Sequence, residues 1–250
     1  MKEIDFDKGQ HILIDEEVIE NEVNEAEIKK NEKVIEIGAG TGILTRRLAD
    51  VAGEVLAFEI DKKFRKDLEV LSEDYKNIRL IFDNALNYNW KGYDKIVSNI
   101  PYHLSEEVVN KAIKDDINEL ILIVGERFKE LLFSNEKVGL IARKFYFIGE
   151  IMSVSKESFE PAPGVNSFLI KMEKKKEISK IDSAMLNIAL GKGKVKNAII
   201  RALFKLGKTK RESKEIISKM NLNENVLEKP AKMITTALII RIEKEIEKLK

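Results

Sequence analysis

The chain has 250 residues, 44% of them hydrophobic, which is enough for one α/β domain and a small addition. The lack of cysteine excludes disulfides and thiolate zinc. No apolar run reaches the length of a membrane span, and residues 1–30 are too acidic for a signal or transit peptide, so a cytoplasmic protein is expected. The net charge of +1 hides an asymmetry: residues 174–250 hold 20 Lys/Arg against 9 Asp/Glu, leaving 24 and 34 for residues 1–173. A basic module follows an acidic one, which points to a polyanionic partner for the C-terminal part.

In chain order, Asp15 is placed to cap a helix over 16–28. Apolar, β-branched runs then predict strands at 33–38, 54–59, 78–82, 94–99 and 119–125, with helices at 43–50, 62–73 and 104–114 between them. That alternation predicts a parallel, doubly wound sheet. A short helix with Phe128, Leu131 and Leu132 comes next, and the aromatic and β-branched residues of 140–155 predict a long strand. Pro161 and Pro163 make 159–164 an irregular loop, and 165–172 reads as a last, antiparallel strand. Lys174-Lys175-Lys176 marks a boundary between domains at 1–173 and 174–250, the second helical at about 180–190, 194–206, 210–220 and 230–249.

Two segments carry the chemistry. In Val34-Ile-Glu-Ile-Gly-Ala-Gly-Thr-Gly42 a strand runs into a glycine turn and a helix start, where missing Cβ atoms let a ligand touch backbone. It is not the dinucleotide fingerprint, because Ile43 stands where the third glycine of that motif belongs. Glu59 ends the next apolar run, where a carboxylate can hold two ribose hydroxyls. Turn, spacing and acid together favour S-adenosylmethionine over a tight turn with no ligand. Gly38, Glu59, Asp83-Asn84 and Asn99 close successive strands and should line one crevice.

The second segment is Ser98-Asn-Ile-Pro-Tyr102. An Asn-hydrophobic-Pro-Tyr tetrad after the fourth strand marks methyltransferases that act on exocyclic amino groups of bases. With Gly-Gln-His-Ile-Leu at 9–13, Glu-Ile-Gly-Ala-Gly-Thr-Gly at 36–42, Glu59, and Phe-Glu-Pro-Ala-Pro-Gly-Val-Asn-Ser at 159–167, the chain resembles the ribosomal RNA adenine dimethylase family. The resemblance covers residues 7 to about 172, and the tail only loosely, through Lys194-Val-Lys-Asn-Ala198. It implies a Rossmann-like class I methyltransferase with a seven-stranded, mostly parallel sheet and a small all-helical C-terminal domain. It further implies dimethylation of N6 on two adjacent adenosines in the 3′-terminal hairpin loop of small-subunit rRNA, by a monomer that meets an immature small subunit. Cofactor contacts would fall on Gln10, His11, Leu13, Gly38, Gly40, Glu59, Asp83 or Asn84, and Asn99. Asn84 stands where the family usually has Asp, and Gly125-Glu-Arg-Phe128 departs from its usual Gln-Lys-Glu stretch.

Adenine N6 is a poor nucleophile because its lone pair is delocalised, whereas a sulfonium methyl group is already electrophilic, so no metal is called for. The Asn99 oxygen and the carbonyl of Ile100 or Pro101 can accept the two N6 hydrogens and favour the pyramidal amine. Pro101 fixes the local backbone, and Tyr102 can stack on the base. Phe159 is expected to clamp the opposite face, against a competing reading as core packing. Lys192, Lys194, Lys196, Arg201, Lys205, Lys208, Lys210 and Arg211 are expected to track RNA phosphates, against a competing reading as a solvated helix face. Two other functions compete: methylation of a large-subunit adenosine, and a non-catalytic RNA-binding assembly factor.

Overall fold

The computed structural model describes residues 11–249. The chain forms two units, one of residues 11–130 and 146–174, the other of residues 131–145 and the described residues from Lys175 on. Residues 131–145, expected in the first domain, group with the helical unit, which resumes at Lys175.

In the first unit β1 (Ile12–Leu13) leads to α1 (Glu16–Glu25), capped by Asp15, whose Oδ1 accepts from the amides of Glu17 and Val18 at 3.1 and 3.4 Å. The β-branched runs then give β2 (Lys33–Ile37), α2 (Ile43–Val51), β3 (Glu54–Phe58), α3 (Arg65–Asp74), β4 (Ile78–Ile81), β5 (Lys95–Asn99), α4 (Ser105–Asp115) and β6 (Glu119–Gly125). α5 (Glu126–Phe133) follows, and α6 (Lys137–Phe145) belongs to the second unit before the chain returns to the first at Tyr146. The unit ends with β7 (Tyr146–Val154), β8 (Phe159–Glu160) and β9 (Ser167–Lys174).

The main sheet has seven strands in the order β4-β3-β2-β5-β6-β9-β7. β4, β3, β2, β5 and β6 are parallel, and β9 runs antiparallel to both β6 and β7. Strand order reverses between β2 and β5, and a crevice opens beyond strand ends at such a switch point. β2 is central and buried from Val34 to Ile37, so its near-continuous apolar run is what two-sided burial demands. One core cluster joins Val34, Leu48, Val55, Leu68, Val97 and Ile121, all buried. At the amino end of β5, buried Lys95 donates to the carbonyl of Ala26 and pairs with Glu32 and Glu119 at 3.5 and 3.2 Å, tying the end of α1 to β5.

Three local expectations are corrected. The strand expected at 140–155 is a helix up to Phe145 and a strand only from Tyr146. Val138, Ile141, Ala142 and Phe145 are buried at helical spacing, which overrides their β-branched and aromatic bias. The loop expected at 159–164 begins with two residues paired to β1, Ile12 opposite Glu160 and Leu13 opposite Phe159.

The second unit adds α7 (Lys180–Ala189), α8 (Val195–Lys205), α9 (Lys210–Lys219), α10 (Glu224–Glu228) and α11 (Thr236–Glu247). The third correction is here: the helix expected at 230–249 starts only at Thr236, behind Pro230 and a Thr235 cap. Lys144 on α6 is held by Asp182 on α7, at 2.9 Å, and by Glu243 on α11. Among the described residues no helix is long and apolar enough to cross a membrane.

Candidate active site

A cavity of about 770 Å³ opens beyond the carboxyl ends of β2, β3 and β5, a volume suited to one small molecule or cofactor. Three glycines make the turn after β2, with φ of +87° at Gly38, +54° at Gly40 and +84° at Gly42. These are left-handed conformations that only glycine adopts without cost. A Cβ on Gly40 would meet nothing within 4 Å, so the bare backbone there faces open space. The amides of Gly38 and Ala39 donate to the Phe58 carbonyl at 2.8 and 3.0 Å, pinning the turn to the end of β3.

Glu59 follows β3 and is buried. The amide of Gly40 donates to one of its oxygens at 2.8 Å and the amide of Asp61 to the other at 2.7 Å. Burial pushes its carboxyl above the usual range, and the two amides pull it back. Each oxygen keeps a lone pair for a ligand hydroxyl. Asp83 and Asn84 also line the cavity, but their side chains are engaged locally. Asp83 accepts from the Asn84 amide at 2.7 Å and the Tyr88 hydroxyl at 3.0 Å, while Asn84 Oδ1 caps the next turn by accepting from the Leu86 amide at 3.0 Å.

The tetrad abuts the glycine turn. A Cβ on Gly38 would lie 3.7 Å from Pro101 Cδ and 3.9 Å from the Asn99 carbonyl. Asn99 is half-buried and lines the cavity; its Nδ2 donates to the His11 carbonyl at 3.1 Å. That bond fixes the amide with Oδ1 as the acceptor not engaged by any described residue. The His11 ring is held in turn by the Pro161 carbonyl, 2.9 Å from Nδ1. A carbonyl only accepts, so Nδ1 carries the proton. Tyr102 lines the same cavity, its ring 6.1 Å from that of His11 with 26° between the planes.

Of the expected site residues, His11, Leu13, Gly38, Gly40, Glu59, Asp83, Asn84, Asn99, Pro101 and Tyr102 share this cavity. Gln10 lies outside the described residues. Phe159 is a correction: it is 3% exposed, packs in the core with Leu13, Val154 and Leu169, and does not line the cavity. Pairing of Phe159 with Leu13 turns the ring inward, so the clamp expected from its proline-rich surroundings is absent. Sequence reasoning missed Ile60, 66% exposed at the rim, and buried Glu36 in the cavity wall. An apolar residue directly after the strand-end acid was a readable signal for Ile60. Among the described residues no cluster of three potential metal ligands occurs.

Of the eight cations expected on the helical unit, Lys192, Lys194, Arg201, Lys205, Lys210 and Arg211 are exposed and Lys196 and Lys208 are partly buried, and they are not equally available. Lys194 is paired with Glu228, and Arg211 with Glu215 at 3.2 Å. Lys192, Lys196, Lys208 and Lys210 have no ion-pair partner among the described residues.

The family described as ribosomal RNA adenine dimethylase matches this chain over residues 1–242. The chain belongs to that family. Its members are S-adenosylmethionine-dependent methyltransferases, and this chain is one of them. Among curated relatives, a protein of Methanococcus aeolicus named probable ribosomal RNA small subunit methyltransferase A is 30% identical over 86% of this chain and 86% of its own length. A protein of the same name from Thermococcus gammatolerans is 30% identical over 85% of this chain and 80% of its own length. The fold is shared with a dimethyladenosine transferase from Plasmodium falciparum, with a TM-score of 0.67, 22% identity, and coverage of 95% of this chain and 98% of that one. It is shared likewise with the 23S rRNA methyltransferase ErmE, at 0.64 and 19%, covering 94% and 99%.

Proposed function

We propose that this methyltransferase dimethylates N6 of two adjacent adenosines in the 3′-terminal hairpin loop of small-subunit rRNA, as a step in small-subunit biogenesis. The observation that carries the reading is the Asn99 amide. It is oriented by the His11 carbonyl, sits in the cavity wall, and adjoins the glycine turn through Gly38. The names of the archaeal relatives support the small subunit as the source of substrate.

The cradle fits the cofactor. In this reading the glycine turn, with its open backbone at Gly40, receives its amino-acid part, and Glu59 receives the ribose hydroxyls. Asn84 lies at the adenine end, where its Nδ2 is the group not used in capping the turn. When bound, S-adenosylmethionine supplies an electrophilic methyl group. What the chain supplies is alignment. Asn99 Oδ1 and the carbonyl of Ile100 or Pro101 accept the two N6 hydrogens and localise the lone pair on nitrogen. The backbone at Pro101, with φ of −55° and ψ of 124°, holds those carbonyls at the tip of β5. Tyr102 stacks on the extruded base, worth about 1–3 kcal/mol. The unpaired lysines of the helical unit meet phosphates, with shape rather than base identity choosing the site.

The test is methyl transfer from labelled cofactor to small subunits that lack the modification. Label is expected in the adjacent adenosines of the 3′-terminal loop, and Asn99→Ala should abolish it while RNA binding persists. Label absent from those adenosines, or transfer by Asn99→Ala at the native rate, would overturn the reading.

A further inference from the structure

The ring assigned above to stacking on the base is itself held from behind. Tyr102 stands in the turn after β5, and its hydroxyl shares a short hydrogen bond with Ser167 Oγ at the start of β9. Ser167 is completely buried, and neither hydroxyl has another hydrogen-bond partner among the described residues. Gly125, the last residue of β6, pairs directly with Ser167 across the antiparallel β6–β9 ladder. A Cβ on Gly125 would lie 3.0 Å from Tyr102 Cδ2, 3.2 Å from Cγ and 3.4 Å from Cε2, so the ring rests on the bare backbone of that glycine. The amide of Glu126 donates to the Asn166 carbonyl at 3.0 Å, which closes the end of this strand pair. The Tyr102 carbonyl accepts from the Ser105 hydroxyl at 2.9 Å, anchoring the backbone from the α4 side. Burial pushes the phenol above its usual range, so it stays neutral at working pH and keeps its hydrogen bond.

A hydroxyl buried in a strand is costly unless it is paired, and Ser167 has one partner. A glycine within a buried strand gives up side-chain packing, and here what takes up the space is an aromatic ring. We infer that Gly125 and Ser167 form a seat that sets the plane of Tyr102, and that both are positioning residues for methyl transfer. The inference rests on the reading that Tyr102 stacks on the target base. Its content is separate: two residues on strands other than that of the tetrad, neither facing the cavity, set the angle at which the base is presented. An error of about 1 Å in such placement can cost roughly 100-fold in rate. Loss of the seat therefore lowers kcat and leaves cofactor affinity alone.

The experiment is a double-mutant cycle in single-turnover transfer to unmodified small subunits, using Ser167→Ala, Tyr102→Phe and the pair together. Each single change breaks the same bond, and we expect each to slow transfer about 3- to 10-fold, as for one hydrogen bond, with the double variant no slower than either. Gly125→Ala should slow transfer further, with the dissociation constant for S-adenosylmethionine moving less than about twofold, since its Cβ displaces the ring assigned to the base and touches none of the residues assigned to the cofactor. Multiplying losses in the double variant, or Tyr102→Phe at the native rate, would overturn the seat; the second result decides the matter even if Ser167→Ala does not fold. A readout without turnover is fluorine NMR of protein labelled with 3-fluorotyrosine, the Tyr102 signal being identified by its loss in Tyr102→Phe. Gly125→Ala should move or broaden that signal, and an unchanged signal counts against the seat. If the native protein labels no rRNA while the Gly125→Ala signal moves, the substrate reading has failed and the seat has not.

Discussion

Two carboxyls lie in the core beneath the glycine turn, and their protonation makes stability depend on pH. Glu36, on β2, is 1% exposed and accepts from the Thr45 hydroxyl at 2.6 Å. Burial pushes its pKa from 4.5 up to about 8, against the pull of the Thr45 hydrogen bond. Glu22, on α1, is fully buried, and burial first and Glu36 second raise it well above the usual range, against a smaller pull from the Ser98 backbone. A folded-state pKa above the unfolded value means that the native state binds the proton more tightly. The contribution is fully present below the unfolded pKa and is lost as pH rises from about 4.5 through 8. At 1.36 kcal/mol per unit, the rise at Glu36 corresponds to a loss on the order of 4–5 kcal/mol by the top of that window. Glu36→Gln keeps an acceptor for Thr45 and removes the titration. Urea midpoints of the two proteins should nearly coincide at pH 5 and diverge toward pH 8.5, with the glutamine variant more stable by several kcal/mol. The native protein should also show the steeper decline. Parallel profiles across the window would refute a neutral Glu36 in the fold.

Other perturbations test the frame and the helical unit. Gly42→Ala puts a Cβ at φ +84°, 3.0 Å from Leu71 and 3.1 Å from Leu68, and should cost about 1–3 kcal/mol in urea unfolding, while circular dichroism stays native. Lys144→Met leaves Asp182 and Glu243 half-buried without their cation, and should lower stability by about 3–5 kcal/mol in the same assay. For RNA binding, Lys196→Ala and Lys210→Ala should each flatten the salt dependence of affinity by roughly 0.7–0.9 in slope, one phosphate contact apiece. Lys194→Ala and Arg211→Ala should flatten it less, because Glu228 and Glu215 already neutralise those cations.

The legible parts of this sequence are those where one chain segment decides the geometry. Three glycines after a β-branched run must make the turn that they make, and parallel strands deliver Glu59 and Asn99 to the same edge whatever the rest of the chain does. The helix at Lys137–Phe145 was legible in principle, through the spacing of Val138, Ile141, Ala142 and Phe145, but β-branched and aromatic content outweighed periodicity in the reading. Phe159 belongs to a different class of error. Its exposure is set by a two-residue pairing with Leu13 at the far end of the unit, and no local pattern encodes which face of β8 turns inward. The Tyr102 seat is of the same class, because it exists only in the register that sets Gly125 opposite Ser167. A slip of one residue would put Phe168 at that place. The groups proposed to meet ligands can thus be named from motifs within single segments, whereas the groups that orient them are fixed by long-range register. This is why His11 acts on Asn99 through a main-chain carbonyl: any residue type at position 11 would offer the same acceptor, and only the course of the chain brings it to Asn99.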